Sequence, residues 1–568
     1  MSHANMKILG INSAYHESSA SIVIDGKIVA AVEEERFTRI KHAKEACVSG
    51  PAELPKNSIQ FCLSHAGLKA TDLDGIAYSF DPALRKREFK LDSLSLPGDW
   101  GSAQGEGIFL AKLQQVPGAI DALLDHQFGS KLAFVPHHIA HAASTFYPSG
   151  FDQAAILVVD GIGESGCTLL ARGDGNKITT LDQVPYPHSL GFLWEKLSKY
   201  LGFSEYDACK LMGLAAYGDP AVFRETFKQL LNSEAGRYTI DPDVAHFRLP
   251  DFERIEALFG PARADKEPIL DHHRHVAAAL QEATDHALMG LVRELRERAA
   301  SDKLCYAGGV ALNCVSNSVI KESGLFSQMY VPTAPHDAGT AVGAALHLYY
   351  SLSGQRPSQA DDNPYLGPAF SDAAIDAAFR DAGLSPRHSA DPARDAATLI
   401  ADGKIVAWFQ DRMEFGPRAL GNRSLLADPR SASMREVLNV KVKHREEFRP
   451  LAPSVLAEEA ANWFELGQAS MSHQSMLFAC PAKQDRQASI PAVLHKDHSA
   501  RVQMVSQERN PKFHALIQHF FEMTGVPVVL NTSFNDSEPI VCTPSDAIKT
   551  FQGTAIDALF IGNRFVVR

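Results

Sequence analysis

Residues 7–33, KILGINSAYHESSASIVIDGKIVAAVE, give the clearest indication of the fold. A short apolar run leads into a polar loop, and a second apolar run turns at Asp25-Gly26 into a third. An Asp-Gly pair between apolar runs predicts a β-hairpin. The pattern returns at residues 154–184, AAILVVDGIGESGCTLLARGDGNKITTLDQV. Two such units predict a duplicated α/β fold with a ligand cleft between its halves, although two unrelated hairpins would give the same pattern.

Four residues far apart in the chain are candidate metal ligands. His137 and His141 lie in VPHHIAH, Asp160 follows the apolar run ILVV, and Asp337 lies in TAPHDAGTAVG. Residues at i and i+4 share one face of a helix, so the two histidines are expected to point the same way. The aspartates complete a mixed nitrogen and oxygen set suited to a divalent metal. Ordinary core or surface histidines would show the same spacing.

A strand, a glycine pair and a helix are predicted in sequence near residue 308. The helical stretch RHVAAALQEATDHALMGLVRELRERAA precedes KLCYAGGVALNCVSNSVI, where an apolar strand ends at Gly308-Gly309 and a helix is expected from near Leu312. Such a junction lets backbone N–H groups approach a phosphate or ribose closely. Structural turns have the same composition, so the alternative of a plain turn stays open.

A change in composition divides the chain. Residues 351–371, SLSGQRPSQADDNPYLGPAFS, are rich in Ser, Pro, Gly and Asp, which predicts an interdomain linker. We therefore expect one domain over residues 1–350 and a second over residues 372–568. In the second, the helical patterns AAIDAAFRDAGL and PARDAATLIADG precede an apolar strand, KIVAWFQ, which predicts a further α/β or α+β domain.

Composition excludes several classes of protein. A chain of 568 residues is too long for one ordinary core. A formal net charge of -12 argues against a general nucleic-acid or membrane-surface binder, so neither partner is expected. We expect no signal peptide, because no positive charge precedes a long apolar stretch near residue 1, and no apolar run is long enough to predict a transmembrane helix. Eight widely spaced cysteines favour reduced thiols, and the sequence predicts a cytoplasmic enzyme.

The segment Asp402–Arg449 is basic within an acidic chain, with ten cationic and seven acidic residues. Several of its arginines lie beside Gly or Pro, in GPRAL, GNRSL and FRPLAP, where a guanidinium can bind phosphate or carboxylate through two hydrogen bonds. Arg501 and the predicted polar loop LNTSFND extend the set, and Asn531 and Ser533 offer neutral hydrogen bonds. We predict a partly enclosed anion pocket; a salt-bridged surface is the alternative.

Together these motifs resemble one family, the O-carbamoyltransferases of antibiotic and nodulation-factor biosynthesis (the NodU/CmcH type). The matches follow the family's order from near residue 7 almost to the C-terminus. They are HESSASIVIDGKIVAAVEEERFTRIKH, HHIAHAASTFY, VVDGIGE, KLMGLAAYG, AGGVALN, HDAGTAVGAA, EFGPRALGNRSLLADPR, FRPLAPSVL and LNTSFND.

The resemblance implies two catalytic units. The N-terminal unit is expected to have the duplicated actin-like fold of the protein that transfers threonylcarbamoyl to tRNA. The C-terminal unit is expected to have a YrdC-like fold that makes carbamoyl-AMP from ATP and carbamoyl phosphate, releasing phosphate and pyrophosphate. The N-terminal site would then move the carbamoyl group to a hydroxyl of a small-molecule natural product, releasing AMP.

The resemblance also implies residue roles. It makes the four candidate ligands a metal site, with iron or another divalent ion as the metal and Mg²⁺ accompanying ATP. It makes His16 the general base, since an imidazole accepts a proton near neutral pH, and Lys41 a contact to the intermediate. The nucleotide- and carbamoyl-phosphate-binding residues that it implies are Lys210, Gly308, Gly309, Asn313, Arg418, Lys443, Arg449, Arg501, Asn531 and Ser533.

The acceptor is left open by the sequence. Leu91–Leu110 and Tyr186–Lys210 are the segments expected to shape its pocket. Three other functions are alternatives: a tRNA threonylcarbamoyl-type modification enzyme, an ATP-dependent sugar-kinase-like enzyme, and a non-catalytic nucleotide-binding scaffold. The first is disfavoured because the acidic chain has no basic stripe outside the predicted pocket. The kinase leaves the arginine-rich C-terminal part unexplained, and the intact candidate ligands and both intact pockets argue against the scaffold.

Overall fold

The computed structural model describes residues 5–234, 236–242, 251–355, 359–467 and 470–568. These residues group into two units. The first comprises the chain up to Glu35 and His42–Asp362, and the second comprises Arg36–Lys41 and the chain from Asn363. Residues 356–358 of the predicted linker lie outside the described residues.

The first unit contains most of the secondary structure. Its strands are β1 Lys7–Asn12, β2 Ser19–Ile24, β3 Lys27–Glu33, β4 Gly75–Tyr78, β5 Leu132–Phe134, β6 Gln153–Val159, β7 Gly166–Asp174, β8 Lys177–Pro185, β9 Leu231–Glu234, β10 Arg237–Ile240, β11 Lys303–Ala307 and β12 Gln328–Tyr330. The helices over the same stretch of chain are α1 Glu35–Thr38, α2 Lys56–His65, α3 Pro82–Glu88, α4 Ala103–Leu124, α5 His137–Phe146, α6 Leu190–Tyr200, α7 Ala208–Ala215, α8 Arg224–Leu230, α9 Glu253–Phe259, α10 Asp271–Ala299, α11 Cys314–Glu322 and α12 Gly339–Ser353.

Two five-stranded sheets repeat one topology, which confirms the predicted duplication. Their orders are β3-β2-β1-β4-β5 and β12-β11-β6-β7-β8. In each, an antiparallel meander of three strands is followed by two parallel strands that continue from the first strand of the meander. Both predicted hairpins are present, and the first unit has the α/β, actin-like architecture expected.

Helices α5 and α12, which follow the last strand of each sheet, pack closely against each other. A Cβ at Gly343 would lie 1.8 Å from the carbonyl oxygen of Ala140, so only glycine permits this approach. The packing places the N-terminal end of α12 against the histidine-bearing face of α5. Helix α12 runs to Ser353, so the first residues of the predicted linker are helical.

The second unit is built on one mixed sheet. Its strands are β13 Arg387–His388, β14 Val406–Phe409, β15 Arg423–Ala427, β16 Ala452–Leu456, β17 Ala479–Pro481, β18 Ser499–Arg501, β19 Gln503–Val505, β20 Val528–Ser533, β21 Ala558–Ile561 and β22 Arg564–Val567. Its helices are α13 Asp372–Asp381, α14 Pro392–Ala401, α15 Ser433–Glu436, α16 Ala460–Trp463, α17 Pro511–Thr524 and α18 Pro544–Gly553, with a π-helical turn at Val437–Val442.

Eight of these strands form one sheet in the order β13-β22-β21-β14-β15-β20-β16-β19, while β17 and β18 form a separate pair. Helix α14 packs against α17, and α13 packs against α18. The unit is therefore α/β, as expected. Among the described residues, no helix has the length and apolar character needed to cross a membrane.

Candidate active sites

Helix α5 brings the two predicted histidine ligands together. His137 is its first residue and His141 lies one turn later, so both side chains leave the same face. Both are fully buried. The Nε2 atoms of His137 and His141 lie 3.3 Å and 3.5 Å from the Oδ2 atom of Asp160.

The two aspartates come from the ends of other elements. Asp160 directly follows β6, and Asp337 lies two residues before α12. The Oδ1 atom of Asp337 is 3.5 Å from the Nε2 atom of each histidine, and one donor atom from each of the four residues lies within 4.8 Å of the others. In a tetrahedral site whose metal–ligand bonds are about 2.0–2.2 Å long, the ligand atoms are separated from one another by distances like those between these donor atoms. The structure thus brings all four predicted ligands into one cluster.

Surrounding groups fix how this cluster can bind. The Nδ1 atom of His137 lies 3.2 Å from the carbonyl oxygen of Ser79, which leaves Nε2 as the atom that faces the aspartates. The backbone N–H of His137 donates to Glu164 at 2.9 Å, and the N–H of Gly309 donates to the Oδ1 atom of Asp160 at 2.9 Å. These bonds hold the ligands in place before any ion arrives.

The histidines and aspartates of this cluster shift one another's pKa values, and the ring of one histidine has no hydrogen-bond partner among the described residues. Burial lowers the pKa of His137, but Asp337 and Asp160 more than offset that effect and hold the pKa well above its usual value. Conversely, the two histidines outweigh burial and hold the pKa of Asp160 well below its ordinary range. Both ring nitrogens of the buried His141 lack a hydrogen-bond partner in the described part of the chain. An orphaned imidazole beside two carboxylates fits a divalent cation.

The glycine turn lies directly against the cluster. Gly308 has φ +94°, and a Cβ there would lie 2.2 Å from the carbonyl oxygen of Val159, so a side chain is excluded. A short 3-10 turn follows, and α11 begins at Cys314 rather than near Leu312 because the side chain of Asn313 caps it. The Oδ1 atom of Asn313 accepts from the N–H groups of the first turn, and its Nδ2 donates to Gln281 at 3.0 Å.

The polar loop between β1 and β2 carries His16, whose side chain is 26% exposed. Asn12 fastens this loop, since its Nδ2 atom donates to the carbonyl oxygens of His16 and Glu17 at 3.3 Å and 3.0 Å. The Oδ1 atom of Asn12 accepts from the hydroxyl of Ser79 at 3.1 Å, and the carbonyl of the same serine contacts His137. A continuous polar network therefore joins the loop to the metal-ligand cluster.

Two predicted lysines have different surroundings. Lys41 is exposed. Lys210 in α7 forms an ion pair with Asp207 at 3.1 Å and lies over the ring of Phe203. A lysine not predicted from the sequence, Lys44, is partly buried, and its Nζ donates to the carbonyl oxygen of Ser13 at 2.7 Å in the loop that carries His16.

In the second unit, Lys443 is the centre of a buried polar cluster. Its Nζ donates to the carbonyl and hydroxyl oxygens of Ser533 at 2.7 Å and 3.1 Å, and to Asn535 at 2.8 Å. Burial, followed by the charges of Arg445 and Arg449, holds the pKa of Lys443 well below its ordinary value. Asp536 and Glu538 oppose this shift, and the three oxygens that accept from the Lys443 Nζ belong to neutral groups, so a bound anion would stabilise the charged amine.

The predicted loop LNTSFND begins as a strand, which corrects one prediction. Asn531 and Ser533 belong to β20, which pairs with β15 on one side and β16 on the other. The Nδ2 atom of Asn531 donates to Ala419, Ser454 and Gln503 at 3.2, 3.0 and 2.9 Å. Its Oδ1 atom is buried with no hydrogen-bond partner among the described residues.

The predicted arginines take different positions. Arg418 is partly buried and directly precedes Ala419, whose carbonyl accepts from Asn531. Arg449 is 26% exposed, with its Nη1 atom 3.8 Å from Glu446. Arg501 ends β18, and its Nε atom is buried with no hydrogen-bond partner in the described chain.

Other arginines of the basic segment support the fold. Arg423 is fully buried, donates to the carbonyl oxygens of Gln410 and Pro368, and lies 3.6 Å from the centre of the Phe409 ring. Arg430 forms an ion pair with Asp428 at 2.6 Å. Part of the basic segment therefore stabilises the fold. For Arg430, the alternative of a salt-bridged residue is correct, and not that of an anion-binding residue.

The two segments expected to shape the acceptor pocket meet at one hydrogen bond. The hydroxyl of Tyr186 donates to the Oδ2 atom of Asp92 at 2.7 Å. Leu91 and Leu94 on the same loop are exposed, while residues from Ala103 onward belong to α4. The contact places the two segments side by side, and their role toward an acceptor stays a prediction.

Comparisons with known proteins give the chain a family. The model of the carbamoyltransferase N-terminus matches residues 7–346, and that of the carbamoyltransferase C-terminus matches residues 397–568. Nodulation protein NolNO of Sinorhizobium fredii is 39% identical over 98% of this chain and 79% of its own length. An uncharacterized protein of Synechocystis is 37% identical over 98% of this chain and 96% of its own length. The solved HypF of T. kodakarensis aligns at 15% identity and a TM-score of 0.33 over 62% of this chain and 49% of its own, a likeness too slight to carry an argument.

Proposed function

This chain belongs to the carbamoyltransferase family, and we propose that it is an ATP-dependent O-carbamoyltransferase acting on a hydroxyl-bearing small molecule. Carbamoyl phosphate is first hydrolysed to carbamate and phosphate. A carbamate oxygen then attacks the α-phosphorus of ATP and displaces pyrophosphate, giving carbamoyl-AMP. Finally, the acceptor oxygen attacks the carbamoyl carbon, the bond from that carbon to the AMP oxygen breaks, and the hydroxyl proton passes to a base.

The cation cluster of the second unit is the observation that carries this proposal. Lys443 is buried beside Arg445 and Arg449, and its pKa is depressed by burial and by those two charges. Carbamate and the α-phosphate of ATP repel each other, and fixed cations reduce that repulsion. We assign Lys443, Arg418, Arg449 and Arg501 to the binding of these anions, with Asn531 and Ser533 supplying neutral hydrogen bonds.

The first unit is proposed to carry the transfer step. Gly308, Gly309 and Asn313 would contact the nucleotide, with Lys210 nearby, and the loop of His16 would meet the acceptor. His137, His141, Asp160 and Asp337 would hold one divalent cation, which would supply positive charge to nucleotide phosphate oxygens. Iron suits a set of two imidazoles and two carboxylates, and Mg²⁺ would accompany ATP.

Pyrophosphate release tests the first half of the reaction without an acceptor. The pure protein is incubated with ATP, Mg²⁺ and carbamoyl phosphate, and pyrophosphate is followed while carbamoyl-AMP is sought by mass spectrometry. We expect pyrophosphate only with carbamoyl phosphate present, and a rate at least about 30-fold lower in Arg449→Ala, because the loss of a charge that contacts a buried anion costs about 2 kcal/mol or more.

The matched control is Lys441→Ala, which removes an exposed cation from the π-helical turn next to Lys443. We expect this variant to keep the wild-type rate. Formation of ADP in place of pyrophosphate, or pyrophosphate that appears without carbamoyl phosphate, would contradict the proposed function.

A further inference from the structure

A carboxylate and a histidine form a close pair beside the His16 loop. The Oε1 atom of Glu17 lies 2.5 Å from the Nδ1 atom of His42. The same oxygen is 3.9 Å from the Nδ1 atom of His16, so the carboxylate is bonded to His42 and not to His16. Glu17 is nearly buried, whereas 27% of the His42 side chain is exposed.

The backbone also holds the two residues together. The N–H of Glu17 donates to the carbonyl oxygen of His42 at 2.9 Å, and the N–H of His42 donates to Glu35 at 2.8 Å. Glu17 and His42 have φ values of +53° and +62°, in the left-handed region that a glutamate seldom occupies. Such backbone strain persists only where the surrounding structure enforces it, and it concentrates at functional sites.

The ring of His42 is held by a stacking contact on its face as well as by the hydrogen bond at Nδ1. It stacks on Tyr206 with ring centroids 4.2 Å apart, and the His16 ring meets the same tyrosine edge-on at 5.5 Å. The centroids of the two imidazoles are 6.3 Å apart. His16 and His42 therefore lie side by side against one tyrosine, and of the two rings only His42 is bonded to the Glu17 carboxylate.

We propose that Glu17 and His42, rather than His16, accept the proton of the acceptor hydroxyl as an acid–base pair, and that His16 beside them contacts the acceptor. This inference rests on the proposed carbamoyl transfer. As the acceptor oxygen attacks the carbamoyl carbon, its proton moves to the Nε2 atom of His42. Glu17, bonded to Nδ1, stabilises the resulting imidazolium, and the proton later passes to solvent.

The charged neighbours of the pair favour this role. Glu17 faces His42, His16 and His336, and the Nε2 atom of His336 is 3.8 Å from its other carboxylate oxygen. Burial raises the pKa of Glu17, but its bond to His42 and the nearby imidazoles outweigh burial and lower that pKa to about 2. Glu17 is therefore an anion at neutral pH. Glu35 and Tyr206 also contact His42.

Comparing two acceptors shows whether a variant has lost base catalysis or has some other defect. In the full-length protein, carbamoyl transfer from ATP and carbamoyl phosphate is measured to glycerol, whose hydroxyl needs a base, and to hydroxylamine, whose uncharged nitrogen attacks without one. We expect His42→Gln to lower the rate of carbamoyl transfer to glycerol by about 100-fold or more. The rate of transfer to hydroxylamine should fall by less than about threefold, and pyrophosphate release should continue. Glu45→Gln and His65→Gln, both at exposed positions, are the controls and should match the wild type.

The pH profile tests the part played by Glu17. Without its carboxylate the pKa of His42 falls, so Glu17→Gln should shift the acidic limb of transfer to glycerol toward lower pH. Proton NMR of histidine-labelled protein, with the His42 signal identified by its loss in His42→Gln, should show the same downward shift in titration.

Each outcome decides the proposal. Equal rates toward glycerol in His42→Gln and the wild type, or an unchanged titration of His42 in Glu17→Gln, would overturn the pair. Pyrophosphate release that does not depend on carbamoyl phosphate would instead refute the proposed function, and the NMR titration would still decide whether Glu17 controls His42.

Discussion

At the scale of single residues, His141 and Lys443 are the most informative side chains. His141 is fully buried with both ring nitrogens unpartnered in the described chain, yet its Nε2 atom faces two carboxylates at 3.5 Å. Lys443 is buried, and burial together with the charges of Arg445 and Arg449 depresses its pKa against the opposing effect of Asp536 and Glu538. Burying either side chain without a binding partner costs free energy. A metal ion would stabilise His141, and a phosphate would stabilise Lys443.

Removing His141 should remove the bound metal. We expect wild-type protein, purified without chelators, to carry about one divalent ion per chain by mass spectrometry of the metals, because the four ligand atoms converge on one point. His141→Ala should lose most of that metal, since loss of one ligand leaves three. The exposed control His65→Ala should retain it. Metal content that is equal in both variants would place any ion elsewhere.

Lys443 should make binding of carbamoyl phosphate depend on pH. Its depressed pKa means that the amine loses its proton more readily than an ordinary lysine, and a bound phosphate favours the charged form. The KM for carbamoyl phosphate should therefore rise as pH increases from neutral to mildly alkaline values. Lys443→Met should raise KM at every pH and lose this dependence, whereas Lys441→Ala should not. A flat wild-type profile would argue against a direct contact.

At the scale of secondary structure, apolar periodicity predicted the helices and strands, but the polar residues of one segment led to a wrong prediction. The hairpins, the α10 helix and the helix that carries His137 and His141 follow from apolar spacing and turn residues. The polar residues of LNTSFND indicate a loop, but β20 continues through Ser533 because β15 and β16 pair with it on both sides. Ala419, Ser454 and Gln503 accept hydrogen bonds from the Nδ2 atom of Asn531, and no local pattern reveals these partners.

The sequence predicted the metal-ligand cluster better than the pair Glu17 and His42. Helical spacing was enough to place two of the four ligands on one face. The bond between Glu17 and His42 depends on two left-handed backbone positions and on the return of the chain after β3. Both residues stand beside predicted ones, His16 and Lys41, which is the only signal that the sequence offers for them.

The glycine turn gives a prediction about stability. Gly308→Ala places a Cβ 2.2 Å from the carbonyl oxygen of Val159 at a φ of +94°, so it should destabilise the protein by about 1–3 kcal/mol or more. Gly118→Ala in α4, where a Cβ meets nothing within 4 Å, should instead stabilise it by about 0.5–1 kcal/mol. Thermal unfolding followed by calorimetry checks both, and equal melting temperatures would contradict the close approach.

At the scale of the whole molecule, the second unit includes a short segment from the N-terminal part of the chain. The side chains of Arg36 and Arg39 donate to the carbonyl oxygens of Gly416 and Ile540 at 2.9 Å and 2.7 Å. Phe37 packs on the apolar cluster of Met413, Ile540 and Cys542. Nothing in the composition of this segment predicts that it belongs with residues more than three hundred positions later.

This packing should be measurable as stability. Phe37→Ala removes apolar contacts with a buried cluster and should lower the free energy of unfolding by about 1–3 kcal/mol. Ile40→Ala, three residues later and 58% exposed, should change it by less than about 0.5 kcal/mol. Calorimetry of the full chain compares the two variants, and equal effects would mean that the segment is not part of the second unit's core.

The central claim, that carbamoyl transfer proceeds through carbamoyl-AMP, is tested most directly by following oxygen. Carbamoyl phosphate labelled with ¹⁸O in its carbonyl group is supplied with unlabelled ATP and an acceptor, and the AMP is analysed by mass spectrometry. Because a carbamate oxygen bonds to the α-phosphorus and stays there when the carbamoyl carbon leaves, about half of the AMP should carry one ¹⁸O, the two carbamate oxygens being equivalent. AMP without the label, or ADP as the nucleotide product, would contradict the account.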